Sequence, residues 1–409
     1  MTPDLTERLL QGLGEAANAP LGLGVSGGGD SLALLYLAHR AGLRISAATV
    51  DHGLREGSAA EAEAVARICA GLGVAHRVLR WQRPGGAGNL QDQARRARRA
   101  LLGDWARGAG LAAVALAHSQ DDVAETFLMR LSRGAGVDGL SAMAGDWQEG
   151  GLRWLRPLLG VSRQALRQYL RELGVDWIDD PSNEADRFQR VRARKALRVL
   201  GDFGLGATRL AEVAGHLEQA RVALEQACDR AAVLVLREAA GAVWLQREGF
   251  SGLAPEMQRR LLQRVILWIA PANYAPRGAA VERLRLAVLA GRSATLAGCR
   301  FVRDQAEMVA LREIRAGAMA VAQAEVWDGV WRIEGPAVEG AEIRALGAAG
   351  VQHLPDWRGL GLARAVLLVS PALWLDQRLV AAPAAKFGPQ WHAKRVPGAN
   401  QLYLCALSH

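Results

Sequence analysis

Short apolar runs and amphipathic stretches alternate along the first 130 residues. The apolar runs predict buried strands at residues 21–25, 44–51, 74–79 and 111–117. Helical periodicity predicts helices over 32–38, 58–70, 90–108 and 123–131. Ser58 followed by Glu61 is typical of a capping box at a helix start. Four strand–helix repeats predict an α/β fold with a parallel sheet covered on both faces.

The pattern changes in the second half of the chain. Further helices are predicted over 163–173, 205–235, 255–269 and 281–289. A short strand is predicted at 243–245, a hairpin over 295–302 and 307–312, and β-rich pieces at 326–333 and 366–369. We therefore expect an α/β domain over 1–200, a helical domain over 201–316 and a small mixed α/β, β-rich domain over 317–409.

A glycine-rich turn joins the first predicted strand to its helix. Residues 26–31 read Ser-Gly-Gly-Gly-Asp-Ser. Contiguous glycines let several N–H groups point at one place, and a helix start adds partial positive charge, so the turn suits phosphate. It lacks the lysine of a Walker loop and the spaced glycines of a dinucleotide fingerprint. The alternative is a tight turn that binds nothing.

Acidic side chains accompany this turn. Asp30 would repel phosphate unless a cation lies between them, which predicts a Mg²⁺ site at Asp30. Asp122 and Glu125 follow the fourth strand three residues apart and share a helix face. Ligands gather at the carboxyl ends of parallel strands, so these acids predict a site for Mg²⁺ or an ammonium group. Stabilisation of the helix dipole is the alternative.

The chain is basic, with 50 Lys and Arg against 41 Asp and Glu, a net charge of +9. Nearly all of this charge is arginine, which favours a polyanionic partner and nucleic acid first. A GC-rich genome explains the choice of arginine but not the excess of positive charge. The 4 cysteines form no C-x-x-C pair, no membrane span or signal peptide is apparent, and we expect a cytoplasmic protein with reduced thiols.

Several motifs carry a family resemblance. The glycine-rich turn resembles the signature of the PP-loop ATP pyrophosphatases. The motifs at 50–55, 88–90, 121–126, 131–136, 156–159 and 177–183 resemble the bacterial tRNA(Ile)-lysidine synthetases in the same order, over roughly residues 20–200. Ser119 and Val123 stand where that family usually has histidine and glutamine, and residues 188–192 also differ from its usual pattern.

The resemblance implies a reaction and its partners. ATP would adenylate the 2-carbonyl oxygen of the wobble cytidine of tRNA(Ile) with a CAU anticodon. The ε-amine of L-lysine would then displace AMP. ATP and Mg²⁺ would be the cofactors, and a monomer and a homodimer both stay open. The alternatives are another PP-loop tRNA-modifying enzyme such as a thiolase, although paired cysteines are absent, and a non-catalytic tRNA-binding module.

The resemblance also assigns roles to residues. ATP would be bound by Ser26, Gly27, Gly28, Gly29, Asp30 and Ser31. Lysine would be bound by Asp122 and Glu125, and the proton acceptor stays open between these two acids and His118. His52 would steady phosphate. The tRNA would be contacted by Arg95, Arg98, Arg133, Arg190, Arg192 and Arg194, for which a solvated helix face is the alternative. Five tryptophans of the last predicted domain could stack on bases, but we expect them to pack in small cores: Trp327, Trp331, Trp357, Trp374 and Trp391.

Overall fold

The computed structural model describes residues 4–53, 57–82, 90–178, 189–272, 276, 278–313 and 319–396, without the side chains of 90–92. The chain forms two compact units, Met1–Arg221 and Val222–His409. The predicted domain boundaries after residues 200 and 316 stay predictions. Parts of the motifs at 50–55, 88–90 and 177–183, and Cys405, lie outside the described residues.

The first unit alternates strands and helices. Its strands are β1 (Leu21–Gly24), β2 (Ile45–Asp51), β3 (Ala75–Arg80), β4 (Ala113–Leu116), β5 (Asp146–Glu149) and β6 (Leu152–Leu155). Its helices are α1 (Leu5–Leu13), α2 (Gly29–Arg40), α3 (Ser58–Gly71), α4 (Leu90–Gly108), α5 (Gln120–Leu131), α6 (Val137–Leu140), α7 (Arg163–Glu172), α8 (Gln189–Gly201) and the first part of α9 (Ala207–Val235). A 3₁₀ turn covers Gly14–Asn18.

The six strands of this unit form one sheet in the order β3-β2-β1-β4-β6-β5. β1 pairs in parallel with β2 and β4, which confirms the predicted parallel sheet. The antiparallel edge strand β5 was not predicted. Gly24 pairs with Ala48 on one side and Leu116 on the other, so β1 and β4 end together. The strand order reverses at β1, which is where open α/β sheets bind ligands.

Burial of α2 fixes the turn against the sheet. Leu32, Leu34, Leu35 and Leu37 are at most 1% exposed, and α2 packs against α1 and α7. Each such leucine contributes about 1.5–3 kcal/mol of burial energy. The apolar run after the glycines therefore holds the amino end of α2 at the end of β1.

The second unit contains the rest of α9 and three sheets. Its helices are α10 (Arg247–Ser251), α11 (Pro255–Ile269), α12 (Gly278–Leu289), α13 (Gly347–Gln352) and α14 (Arg364–Val369), with 3₁₀ turns at Arg358–Leu360 and Pro383–Ala385. One sheet has the order β7 (Leu236–Ala239), β8 (Ala242–Gln246), β11 (Glu307–Arg312), β10 (Cys299–Asp304) and β9 (Ala294–Leu296). A second has the order β12 (Val321–Ala322), β14 (Glu342–Ala345), β15 (Pro371–Leu375) and β16 (Arg378–Ala381). The third pairs β13 (Trp331–Glu334) with β17 (His392–Arg395).

Several local predictions can be compared with these elements. The hairpin of β10 and β11 is confirmed, and Trp327, Trp374 and Trp391 lie in small cores, each at most 8% exposed. The predicted strand at 366–369 is wrong, because α14 occupies it. A short apolar run does not separate a strand from a buried helix.

The predicted capping box of α3 is also wrong. Gly57, with φ at +93°, precedes α3, and the hydroxyl of Ser58 donates to Asp51 Oδ1 over 2.8 Å. The side chain of Ser58 therefore fixes the end of β2 instead of capping the helix. Among the described residues, no helix combines the length and apolar character that crossing a membrane requires.

Candidate active site

Hydrogen bonds within the glycine-rich turn fix its shape. The hydroxyl of Ser31 donates to Gly28 O over 2.8 Å and accepts from Ser26 N over 3.1 Å. Gly27 has φ at +85°, and a Cβ atom there would lie 2.8 Å from Ile178 Cδ1. The two predicted serines therefore support the turn from inside, and the first glycine is required by its backbone conformation and its neighbour.

The amino end of α2 is open. Gly28 precedes the helix and no side chain caps it. In the part of the chain that the structure describes, the N–H groups of Gly28, Gly29 and Asp30 have no protein acceptor. A Cβ atom on Gly28 would meet nothing closer than Ser26 Oγ, at 3.7 Å. Three amides without a protein acceptor among the described residues thus lie at the positive end of a helix, which is an anion-binding arrangement.

Ser119 links the two strand ends. It precedes α5, and Asp122 Oδ2 accepts from its backbone N–H over 2.9 Å and from its hydroxyl over 3.1 Å. The same hydroxyl lies 3.2 Å from Asp30 Oδ2. One hydroxyl proton therefore serves carboxylates from both elements, and the residue that departs from the family pattern caps the helix and contacts the site.

Arg163 contacts all three predicted carboxylates. Its Nε atom donates to Asp30 Oδ2 over 3.1 Å. Its Nη1 atom donates to Glu125 Oε1 over 2.9 Å, and its Nη2 atom donates to Asp122 Oδ1 over 3.2 Å. The Arg163 backbone N–H donates to Asp121 Oδ2 over 2.7 Å. The guanidinium plane therefore brings the acids of α2 and α5 together.

Sequence reasoning missed Arg163, although a signal was present. Arg163 is the first residue of α7, and the hydroxyl of Ser162 caps that helix by accepting from Ala165 N over 3.2 Å. A cation at a helix amino terminus is unfavourable because it faces the positive end of the helix dipole. Nearby carboxylates compensate for this placement, so a basic residue at such a position indicates an acidic partner.

Two arginines of α8 also reach Glu125, whose side chain is 0% exposed. Arg190 Nε lies 3.1 Å from Oε2, and Arg194 Nε lies 2.7 Å from Oε1. Arg192 is exposed, as is Arg133, which donates to Gln189. Of the arginines predicted to contact tRNA in this stretch, two therefore contact a site carboxylate and one lies on the surface.

Burial and neighbouring charges shift the pKa values of Asp30 and Asp122 in opposite directions. Burial raises the pKa of Asp30 above its usual 3.8, and Arg163 only partly offsets this effect. Burial also acts on Asp122, but Arg190 and Arg163 outweigh it and lower the pKa of that carboxyl. Burial would lower the pKa of Arg163, yet the three carboxylates raise it. The carboxyl of Asp30 is thus protonated more readily than that of Asp122.

Of the two predicted histidines, His118 lies beside Asp122 of this cluster, and His52 follows the end of β2. Arg156 Nε donates to His118 Nδ1 over 3.2 Å, and burial lowers the pKa of His118 to about 3. His118 is therefore neutral and carries its proton on Nε2. The ring of His52 meets Trp81 edge to face at 5.8 Å, and burial followed by the charge of Arg98 lowers its pKa. Its buried Nδ1 atom has no hydrogen-bond partner among the described residues.

Basic side chains of α4 border the same region. Arg95 and Arg98 are exposed. Arg98 is nevertheless closely surrounded, and this crowding, with the charges of Arg95 and Arg190, lowers its pKa. The three arginines therefore form an electropositive edge beside the carboxylate cluster.

At the predicted Mg²⁺ site, Asp30 supplies one carboxylate and not a complete set of protein ligands. No group of three His, Cys, Asp or Glu side chains among the described residues is arranged to hold a metal ion. Mg²⁺ needs no such cage when substrate phosphates and water supply most of its ligands. A single carboxylate beside an open phosphate loop satisfies that requirement.

The fold and the open glycine loop define a PP-loop ATP-binding protein, and the family described as "PP-loop domain" matches residues 1–199. The tRNA(Ile)-lysidine synthase of Ruegeria pomeroyi is 46% identical, over 95% of this chain and 94% of that protein. That of Hyphomonas neptunium is 39% identical, over 69% of this chain and 78% of that protein. The chain belongs to the tRNA(Ile)-lysidine synthase family.

A solved structure also resembles part of the chain. The U34-tRNA thiolase NcsA of Methanococcus maripaludis is 18% identical, with a TM-score of 0.46 over 52% of this chain and 78% of that one.

Proposed function

We propose that the protein ligates L-lysine to the 2-position of the wobble cytidine of tRNA(Ile) with a CAU anticodon. ATP is converted to AMP and pyrophosphate in the process. The names of the relatives support this function. The observation that carries it is the convergence of Asp30, Asp122 and Glu125 on Arg163 beside the open amides of α2. One side of the site suits a triphosphate and the other suits an ammonium group.

In the first step, the cytosine 2-oxygen attacks the α-phosphorus of ATP and pyrophosphate leaves. The amides of Gly28, Gly29 and Asp30 hold phosphate oxygens as negative charge moves to the leaving group. The Asp30 carboxylate would hold Mg²⁺, which neutralises charge on the phosphates when bound. The lowered pKa of His52 favours the neutral ring, and its buried Nδ1 atom has no hydrogen-bond partner among the described residues, so it offers one further polar contact at the end of β2.

In the second step, the ε-amine of lysine attacks C2 of the cytosine, and AMP leaves with the former carbonyl oxygen. Asp122 and Glu125 would bind the ammonium form and accept its proton, because only the free amine is nucleophilic. Asp122 suits proton transfer better, since its side chain is 11% exposed whereas that of Glu125 is 0%. His118 suits it poorly, because Arg156 occupies Nδ1 and its pKa is about 3.

Exposed arginines would contact the tRNA. Arg192, Arg133, Arg95 and Arg98 are exposed and are suited to phosphate contacts. Arg190 keeps 41% of its side chain exposed, so it can contact both Glu125 and RNA, and Arg194 keeps 29%. These roles stay predictions.

A thiolase reaction finds less support. Burial raises the pKa of Cys69 and Cys228 to about 11 and that of Cys299 to about 12. The thiols that the structure describes are therefore buried and protonated at neutral pH, which suits a sulfur carrier poorly.

The test is transfer of radiolabelled lysine to an unmodified tRNA(Ile) transcript with a CAU anticodon. The same transcript with a GAU anticodon is the control, and AMP is measured in parallel. We expect one lysine and one AMP per tRNA with the CAU transcript only. AMP release without lysine transfer, driven by a sulfur donor or another acceptor, would overturn the proposal.

A further inference from the structure

The Arg163 side chain joins the two halves of the proposed site. Its Nε atom contacts Asp30, on the nucleotide side. Its two terminal nitrogens contact Glu125 and Asp122, on the lysine side. Arg163 is 19% exposed and its backbone is fixed by Asp121, so the guanidinium can turn while the helix start stays in place.

Arg163 and the ligands compete for the same oxygens. Asp30 Oδ2 already accepts from Ser119 and Arg163, so a Mg²⁺ ion bound at that oxygen would lie close to the guanidinium and repel it. The lysine ammonium likewise needs oxygens of Asp122 and Glu125 that Arg163 uses. A guanidinium is planar and rigid, so a rotation that releases Asp30 also shifts Nη1 and Nη2 away from the other two acids.

We propose that Arg163 is a positioning residue that couples nucleotide binding to lysine binding. Arg163 holds the three carboxylates together before ligands bind. When magnesium and nucleotide engage Asp30, the Arg163 guanidinium turns to the triphosphate oxygens. Its positions at Asp122 Oδ1 and Glu125 Oε1 then pass to the lysine ammonium, while Arg190 and Arg194 keep their contacts with Glu125. This inference rests on the proposed function and adds an order to it, nucleotide before lysine.

Coupling of this kind is reciprocal. If nucleotide raises the affinity for lysine by a certain factor, lysine raises the affinity for nucleotide by the same factor. Typical coupling between two sites is about 5–150-fold. The coupling also protects the reaction, because lysine would bind more tightly to a site that already holds ATP.

The test is calorimetric titration of the full-length protein with L-lysine, with and without Mg²⁺ and a non-hydrolysable α,β-methylene ATP analogue. No tRNA and no turnover are needed. We expect the analogue to raise the affinity for lysine about tenfold or more. The reverse titration, nucleotide with and without lysine, should give the same factor.

Three variants separate coupling from folding. Arg163→Met removes the charge, so the lysine affinity measured without nucleotide should rise. The ratio of the lysine affinities with and without nucleotide should then approach one. Arg163→Lys keeps the charge, but one ammonium cannot span three carboxylates, so its ratio should also fall. Arg171→Met changes an exposed arginine of the same helix and should keep the wild-type ratio.

Two outcomes would count against the inference in distinguishable ways. An unchanged ratio in folded Arg163→Met and Arg163→Lys, or a wild-type ratio of one, would refute the coupling and leave the proposed function standing. Failure of the wild-type protein to bind lysine under any of these conditions would contradict the proposed function as well.

Discussion

Two clusters of arginines and carboxylates stand out among the described residues, and they differ in construction. The site cluster consists of Asp30, Asp122, Glu125, Arg163, Arg190 and Arg194. The α9–α11 cluster, in the second unit, consists of Glu225, Asp229, Glu256, Arg260 and Arg264. Both satisfy their charges within the protein, but only one has the features of a binding site.

The α9–α11 cluster follows helical spacing. Asp229 lies four residues after Glu225 on α9, and Arg264 lies four residues after Arg260 on α11. These side chains join two helix faces, and the two arginines are 4% and 9% exposed. Glu225 and Glu256 keep 30% and 40% of their side chains exposed, so this cluster differs from the site cluster in its regular spacing, which serves packing.

The site cluster has no such periodicity. Its members come from α2, α5, α7 and α8, up to 133 residues apart for a single pair. Arg163 and Asp30 are each 19% exposed and Arg190 is 41% exposed. Ion pairs that converge from distant elements at the end of a sheet thus indicate function, whereas regular helical spacing indicates structure.

Replacement of Asp30 by Asn should disrupt the site cluster and cause the largest loss of activity among the variants considered. Loss of the carboxylate should reduce AMP formation and lysine transfer by about 10²–10³-fold. The folded protein should not be destabilised by loss of this charge, because a raised pKa means that ionised Asp30 is disfavoured on folding at pH above 3.8. Single-turnover assays and thermal unfolding check this, and near-normal turnover would contradict it.

Replacement of Asp229 by Asn should have the opposite result, a loss of stability without a loss of turnover. Arg264 would lose one buried partner but keep Glu225, at 2.8 Å, so we expect a loss of about 1–3 kcal/mol in the free energy of unfolding. Turnover per folded molecule should stay unchanged. Urea unfolding with a parallel lysine-transfer assay measures both, and a fall in turnover without a fall in stability would refute the structural role.

Replacement of Gly28 by Ala tests whether the glycine turn binds the phosphates of the nucleotide. The fold has room for the methyl group, whose nearest neighbour would be Ser26 Oγ at 3.7 Å, but the group would narrow the approach to a turn built for phosphate. We expect unchanged stability and about tenfold weaker nucleotide binding, close to 1.4 kcal/mol. The control is Gly27→Ala, which should destabilise the protein because of its φ of +85° and the contact with Ile178. Equal effects of both variants on stability would argue against an open phosphate site.

Replacement of His118 by Gln should alter the acid side of the stability curve. The pKa of His118 falls from about 6.5 to about 3 on folding, so the unfolded chain binds an extra proton between those values. Stability is therefore lost as pH falls through that window, by at most about 1.4 kcal/mol per pH unit. Urea midpoints at pH 7 and pH 5 should move less in the variant than in the wild-type protein. Identical shifts would exclude this contribution.

Replacement of Arg192 by Ala should have the smallest effect. Arg192 is exposed on α8, and a phosphate contact there would add about one unit to the salt dependence of tRNA binding. The variant should bind tRNA slightly less tightly, with a salt slope lower by about one. Arg209→Ala, an exposed arginine paired with Glu212, is the control. The same slope in wild type and variant would remove Arg192 from the interface.

The parallel sheet, the glycine turn after β1 and the two acids that follow β4 could be predicted from the sequence. Each of these features depends on local periodicity or on neighbouring residues. It did not reveal that Arg163 contacts all three acids, since that contact depends on how α7 packs against α2. It also led to a tRNA role for Arg190 and Arg194, whose contacts with Glu125 depend on the packing of α8 against α5. Ser119 shows the same limit, because its two carboxylate partners are brought together only by the fold.

The most direct test of this account is a crystal structure of the protein with Mg²⁺ and α,β-methylene ATP. We predict phosphate oxygens within hydrogen-bond distance of the backbone nitrogens of Gly28, Gly29 and Asp30, with the Asp30 carboxylate facing the metal. A nucleotide bound elsewhere, or a turn that stays empty at saturating nucleotide, would contradict the account.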